Sequence, residues 1–192
     1  MIRFNKYNYP EFSSFWDTPI EVGGKSYLDV EAAFQAAKQK DGVDNAMFYA
    51  VSKGEAKKLG RKVDIRPDWD KIKFDRMVEC DYAKFTQYPE LGELLLSTGY
   101  DWIVEDTTAW HDNIWGACRC PNCVGKNSKN LKGQALMKVR AMLRGEENAP
   151  IYLDYKERDL QCEFELFGAE VEELKKQGNW DYTLNILNRV EK

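Results

Sequence analysis

The sequence predicts a mainly α-helical, α+β protein with only a few short strands. Three observations carry that prediction. Apolar residues recur at three- and four-residue spacing over several stretches, alternating runs are short and rare, and Pro, Gly and capping residues sit where helices would start or stop.

Taken in order, "TPIEVGGKSYLDV" (18–30) alternates around Gly23 and Gly24, a two-residue pair that accepts positive φ, and so predicts a β-hairpin. Asp29 then caps a helix through about Lys40, with Ala32, Ala33, Ala36 and Ala37 favouring helix and close packing. Further helices are expected at Ala46 to Leu59, from Pro67 to about Gln87, and from Pro89 to Ser97, the last ended by Gly99. "YDWIVED" (100–106) is a short β-rich run. Asn130 to Arg144 is another helix, with Leu131, Ala135, Leu136, Val139 and Leu143 on its buried side. Beyond "RGEENAP" a strand at Cys162 to Phe167 and helices near 170–177 and 182–190 are expected.

With 192 residues, 43% hydrophobic and 13% aromatic, the chain can bury one substantial core. A domain over 1–145 is expected, followed by an acidic C-terminal extension over 146–192. No apolar run reaches the roughly 18 residues of a membrane span, and "MIRFNKYNYP" lacks a signal-peptide core, so a cytoplasmic protein without a membrane partner is expected. Five cysteines, an odd number, read as thiols or metal ligands rather than a disulfide framework.

The net charge of −4 is unevenly spread. Gly116 to Gly145 holds seven basic residues (Arg119, Lys126, Lys129, Lys132, Lys138, Arg140 and Arg144) and no acid. An acidic protein with one basic segment suits a local phosphate better than broad nucleic-acid binding.

Two constellations carry chemistry. The first is "WHDNIWGACRCPNC" (110–123), where Cys118, Cys120 and Cys123 form C-x-C-x2-C with His111 seven residues upstream. Three thiolates and one imidazole would make a closed tetrahedral zinc site of structural type; a loop of reduced cysteines is the alternative, and Cys80 or Cys162 could replace His111. The second is a set of carboxylates. Glu105, Asp106 and Asp112 flank Trp110 and Trp115, while Glu31, Gln35 and Lys38 share one face of the first helix. A carboxylate beside an anomeric carbon stabilises an oxocarbenium-like transition state, and an aromatic plane can hold the leaving base. Asn130 suits a helix N-cap, and the helix start beside Lys126, Lys129 and Lys132 could cradle a diphosphate.

The blocks "FSSFWDTPIEVGGKSYLDVEAAFQAAK", "RPDWDKIKFDRM", "KFTQYPELGELLLSTG", "IVED", "HDNIWGACRCPNC" and "NLKGQALMKVR" together resemble the NADAR family, also known as the YbiA-like family, from about Phe12 to Leu143. The resemblance implies a compact YbiA-like helical fold and N-glycosidase chemistry on an ADP-ribose-containing substrate, foremost the removal of ADP-ribose from guanine in DNA. Free phosphoribosylated metabolites such as riboflavin intermediates are the second expectation, and a non-catalytic ADP-ribose or NAD reader the third. By position it implies catalytic roles for Glu31 and Asp112. It implies substrate contacts for Gln35, Lys38, Trp115, Gly116, Asn130 and Arg140, and Trp16 and, from the basic segment, Lys126 are expected to join them. No cofactor is expected in the chemistry itself; structural zinc is the one metal expected. Two departures stand out. Ala32 takes the position after Glu31 that is often His, and the cysteine cluster replaces a run of small residues.

Overall fold

The computed structural model describes residues 1–123, 126 and 128–146. They fall into two units, one of 1–105 with 131–146 and the other of 106–130. Apart from Glu146, the acidic extension and its expected strand and helices lie outside the described residues.

In the first unit the elements run β1 (Ile2–Phe4), β2 (Ile20–Val22), β3 (Lys25–Tyr27), α1 (Val30–Ala36), α2 (Lys53–Leu59), α3 (Trp69–Gln87), α4 (Pro89–Ser97), β4 (Ile103–Glu105) and α5 (Leu131–Leu143). Short 3-10 turns occupy Pro10–Phe12 and Ala46–Phe48. Five helices with two two-stranded sheets give the α+β class that the sequence predicts. Among the described residues no helix is long and apolar enough to cross a membrane.

The hairpin forms as expected, β2 pairing antiparallel with β3 across Gly23 and Gly24, whose φ angles of 60° and 72° are those of a tight hairpin turn. Parallel pairing of β1 with β4 (Ile2 opposite Ile103, Phe4 opposite Glu105) is absent from the sequence reading. Its three-residue strands lie about a hundred positions apart, too short and too distant for a local signal.

Asp29 caps α1 by accepting the Ala32 N–H at 2.8 Å, but the helix ends at Ala36 rather than near Lys40. The reason is competition for the backbone. The Lys38 carbonyl accepts the Arg66 N–H, and Gln39 bridges to Ile65. Likewise the single helix expected over Ala46 to Leu59 is broken, because Ser52 and Glu55 form a reciprocal capping box that starts α2 afresh.

The core gathers Phe4, Phe12 and Phe85 in edge contacts (centroids 5.9 and 6.1 Å apart) with Leu95, Ile103, Leu136 and Val139. Asp81, Lys84 and Lys132 are among the charged side chains buried with it. On α3, Asp81 accepts from Lys132 of α5 at 2.5 Å, both essentially inaccessible. Lys84 donates to the carbonyls of Glu11 (2.6 Å) and Ser13 (3.1 Å), fastening the Pro10–Phe12 turn to α3. Burial, then repulsion by Lys132, pulls Lys84 down to about 7. α5 is therefore buried beyond its apolar stripe. Ala135, Leu136 and Val139 face inward as expected, Leu131 and Leu143 are only half-buried, and Lys132, Gln134 and Arg140 are buried too.

Removing one partner of a buried ion pair strands the other charge. Asp81→Ala is expected to lower unfolding free energy by about 3–5 kcal/mol in urea titrations, whereas Asp81→Leu combined with Lys132→Met should recover most of that loss. A loss from Asp81→Ala below about 1 kcal/mol, the scale of an exposed pair, would show that the ion pair is not buried in solution.

Candidate functional site

Three side chains expected on one helical face are together. The Gln35 amide donates to the Glu31 carboxylate at 2.8 Å, one turn apart on α1, and the Lys38 ammonium lies 6.0 Å from the ring centroid of Trp69. Glu31 is 6% exposed. Burial raises its carboxyl above the ordinary value of 4.5, and Lys57, the Gln35 hydrogen bond and Lys38 only partly offset that. Lys38 is in turn pulled down by burial, with Glu31 working the other way.

The segment 13–17 sits against the start of α1. Ser14 accepts the Glu31 N–H at 3.1 Å, and the Lys53 ammonium binds the Phe15 carbonyl (2.5 Å) and Asp17 (2.7 Å). Lys57 lies 5.2 Å from the Phe15 ring centroid. Trp16 is 38% exposed on the same segment. The arrangement is a buried acid in a collar of ammonium groups and aromatic rings, suited to a substrate with positive charge developing on a sugar and negative charge on phosphate. A separate cavity of about 250 Å³ lies on the other side of α1, against Ala33, Ala36, Arg66 and Arg76, and includes neither Glu31 nor Lys38.

Lys57, Trp69 and Gly60 are functional candidates that the sequence reading missed. Lys57 and Gly60 sit at the end of α2 in "KKLG", which carries no more than an ordinary helix-end signal. Gly60 has a helical φ of −61°, which any residue adopts, so its backbone does not require glycine. Its space does. A Cβ there would stand 1.7 Å from Gln35 Oε1.

The second unit carries the other expected site residues except Arg140, which lies on α5 of the first. Asp112 Oδ1 accepts the N–H groups of Ile114 (2.8 Å) and Trp115 (2.9 Å), and Thr107 Oγ1 donates to the Asp112 carbonyl. One oxygen of this expected catalytic acid is thus spent on building its own turn. Asp106 does the same for Thr108, and Asn113 Oδ1 accepts from Cys118 N–H (3.0 Å) and Ser128 (2.8 Å). Trp115 is half-buried, Gly116 buried, Lys126 exposed, and Asn130 buried with φ 47°. His111, Cys118, Cys120 and Cys123 converge, their donor atoms all within 4.8 Å of one another, a set that could hold a metal. Cys80 instead lies buried on α3. Cys162 is outside the described residues.

The expected phosphate cradle needs correcting. Lys132, read as lining the helix start, is the buried partner of Asp81, because its stem is packed into the core and its charge has to be paired there. Arg140, expected to contact substrate, lies on α5 of the first unit. It is buried, donates to Thr98 Oγ1 at 2.7 Å, and has Arg144, Asp101 and Glu146 for charged neighbours, none of which surrounds Glu31. Arg144 binds the Leu96 and Gly99 carbonyls, and Lys138 lies 3.6 Å from Asp75. Lys132, Lys138, Arg140 and Arg144 are therefore all engaged within the protein. Arg119, Lys126 and Lys129 are exposed.

The profile of the NADAR domain matches residues 3–144. The chain is 35% identical over 139 residues to N-glycosidase YbiA of Escherichia coli strain K12, covering 71% of this chain and 82% of that protein. It is 33% identical over 153 residues to the chloroplastic riboflavin biosynthesis protein PYRR of Zea mays, covering 70% of this chain and 23% of that protein. The solved NMR structure of E. coli YbiA is similar at a TM-score of 0.65 and 32% identity, covering 78% of this chain and 88% of that one.

Because alanine suits the backbone at 60, any loss from Gly60→Ala measures displacement of the Gln35 amide. The variant should fold with a small change in melting temperature but lose at least about tenfold in turnover, the scale of one oriented hydrogen bond in a site. Unchanged turnover would show that Gln35 does not orient Glu31.

Proposed function

Since the chain belongs to the NADAR domain family and is an N-glycosidase, we propose that Glu31 is the carboxylate that performs the hydrolysis, on a ribosyl compound carrying phosphate. The observation that carries this reading is the burial of Glu31 beside Gln35, Lys38 and Lys57. A carboxyl held above its ordinary value accepts and returns a proton near neutral pH better than an exposed one.

In this reading the C1′–N bond breaks with its electron pair leaving on the base nitrogen. The ionised Glu31 stabilises the oxocarbenium character at C1′ and takes a proton from the attacking water, whose oxygen bonds to C1′. That proton then passes to the departing base. Gln35 fixes the carboxylate, Lys38 and Lys57 offset phosphate charge, and Trp16 and Trp69 offer ring faces. Asp112 and Trp115 belong to the same proposal through the family motif, with Asp112 first of all the residue that shapes its turn.

Two substrate classes fit. The limited set of exposed basic residues in 116–145 and the likeness to the maize riboflavin protein support a free phosphoribosylated metabolite. ADP-ribose on guanine in DNA is the second reading, supported by the motif order. Parallel incubation with a riboflavin-type ribosyl intermediate, ADP-ribosylated nucleoside and ADP-ribosylated DNA, with product masses recorded over a salt series, separates them. The metabolite reading expects base release that is nearly indifferent to salt. The DNA reading expects release whose affinity falls steeply with salt. Binding without release on all three would overturn both in favour of a non-catalytic ADP-ribose or NAD reader.

Glu31→Gln should lower kcat by roughly 10²–10⁴-fold with the fold intact. Its stability should also diverge from that of the parent with pH. A carboxyl raised in the folded state binds more protons there than when unfolded, so the parent loses stability as pH climbs from its unfolded value of 4.5 through the raised folded value, and the variant does not. Lys57 holds the carboxyl down, so Lys57→Met should move the acidic limb of the pH–rate profile to higher pH. An unmoved limb would remove Glu31 from the titrating role.

A further inference from the structure

We infer that His111, Cys118, Cys120 and Cys123 form a structural zinc site that fixes the turn carrying Asp112 and Trp115.

His111 Nδ1 lies 3.4 Å from Cys118 Sγ and 3.2 Å from Cys120 Sγ, and Cys123 Sγ completes a set within 4.8 Å. A tetrahedron built on zinc bonds of about 2.0–2.1 Å to nitrogen and 2.3 Å to sulfur has N···S edges of about 3.6 Å and S···S edges of about 3.8 Å. The two N···S contacts therefore open by a few tenths of an ångström, and a separation as wide as 4.8 Å closes by about 1 Å, to admit the ion. Nδ1 is the ring nitrogen that faces the sulfurs. Nε2 then carries the ring proton.

The backbone is arranged around those atoms. His111 has φ 62°, the left-handed conformation that non-glycine residues seldom adopt, and it is held there by its N–H bond to the Thr107 carbonyl at 2.8 Å. Cys118 Sγ accepts the Cys120 N–H at 3.4 Å, and the Cys123 N–H bonds the Cys120 carbonyl at 2.9 Å. N–H groups aimed at a thiolate are the supporting contacts that a zinc knuckle uses to spread sulfur charge. Cys118 and Cys123 are buried, where paired thiols without a metal would gain little.

Ligand type and count select the metal and its role. Three soft thiolates and one imidazole in a tetrahedron suit zinc rather than magnesium or calcium. Four protein ligands leave no position for water, so the ion braces and does not activate. Binding converts three thiols to thiolates, releasing three protons to solvent, and leaves the site with one net negative charge. Residues 116–130 carry Arg119, Lys126 and Lys129 and no acid, so the local sequence charge is opposite to that of the site. The consequence lies next door. Asp112 follows His111 directly, and its turn is closed through Asn113 onto Cys118, so the ion pins both ends of the segment 111–118.

The full-length chain, purified in a non-chelating reductant, should contain about one zinc per molecule by mass spectrometry of the metal. Cys120→Ser and Cys123→Ser should each fall below about a tenth of an equivalent, while Cys80→Ser keeps the parent content. In case a variant does not fold, the parent protein stripped with chelator is titrated with cobalt(II). The expected result is the visible absorption of a tetrahedral cobalt thiolate saturating near about one equivalent, with recovery of the tryptophan near-ultraviolet circular dichroism. Metal below about a tenth of an equivalent in the parent together with no cobalt thiolate band would overturn the site, as would zinc retained in both cysteine variants. An unchanged cobalt spectrum in His111→Ala would overturn the fourth ligand.

Discussion

The ion pair between Asp81 and Lys132 is the contact on which the first unit depends, because it sets α3 against α5 from inside the core. Two charges without water are costly, and their attraction repays the cost only when geometry and neighbouring hydrogen bonds are good. Lys84, three residues on from Asp81 and bound to the carbonyls of Glu11 and Ser13, extends the same polar line to the N-terminal turn. From that turn the chain passes to Ser14, whose carbonyl holds the first turn of α1 through the Glu31 N–H. The chain of contacts from α5 to the candidate acid is thus a physical one, made of buried hydrogen bonds within one unit.

Glu31 runs against stability. A carboxyl 6% exposed that titrates above its ordinary value disfavours folding at neutral pH, and a glutamine would keep the Gln35 contact without the charge. Groups of this kind are retained where charge is needed for chemistry. The same logic explains Gly60, which surrenders helix-favouring alanine for the volume that the Gln35 amide occupies.

The second unit solves a different problem. Residues 106–123 contain no helix or strand, and the turns are built from their own side chains, with Asp106, Asp112 and Asn113 accepting backbone N–H groups. Such a loop has few apolar side chains with which to offset the entropy of being ordered. With the proposed zinc bound, the four convergent side chains His111, Cys118, Cys120 and Cys123 would supply what a hydrophobic core supplies elsewhere.

Much of this was legible from residues alone. Gly23-Gly24 specified the hairpin, Asp29 the start of α1, Pro89 and Gly99 the limits of α4, and the i, i+4 spacing of Glu31 and Gln35 their contact, since each depends on neighbours within a few positions. Motif order pointed to the NADAR family for the same reason: it is a linear property. Only tertiary structure decided that β1 pairs with β4, that Lys132 is spent on a buried aspartate and Arg140 is buried beside Thr98, and that Lys57 and Gly60 attend the α1 acid. A lysine in a helix carries no mark of whether its end will meet water or a buried aspartate. That is fixed by what packs against it from distant positions, and the burial of charge is therefore the property that the linear pattern leaves open.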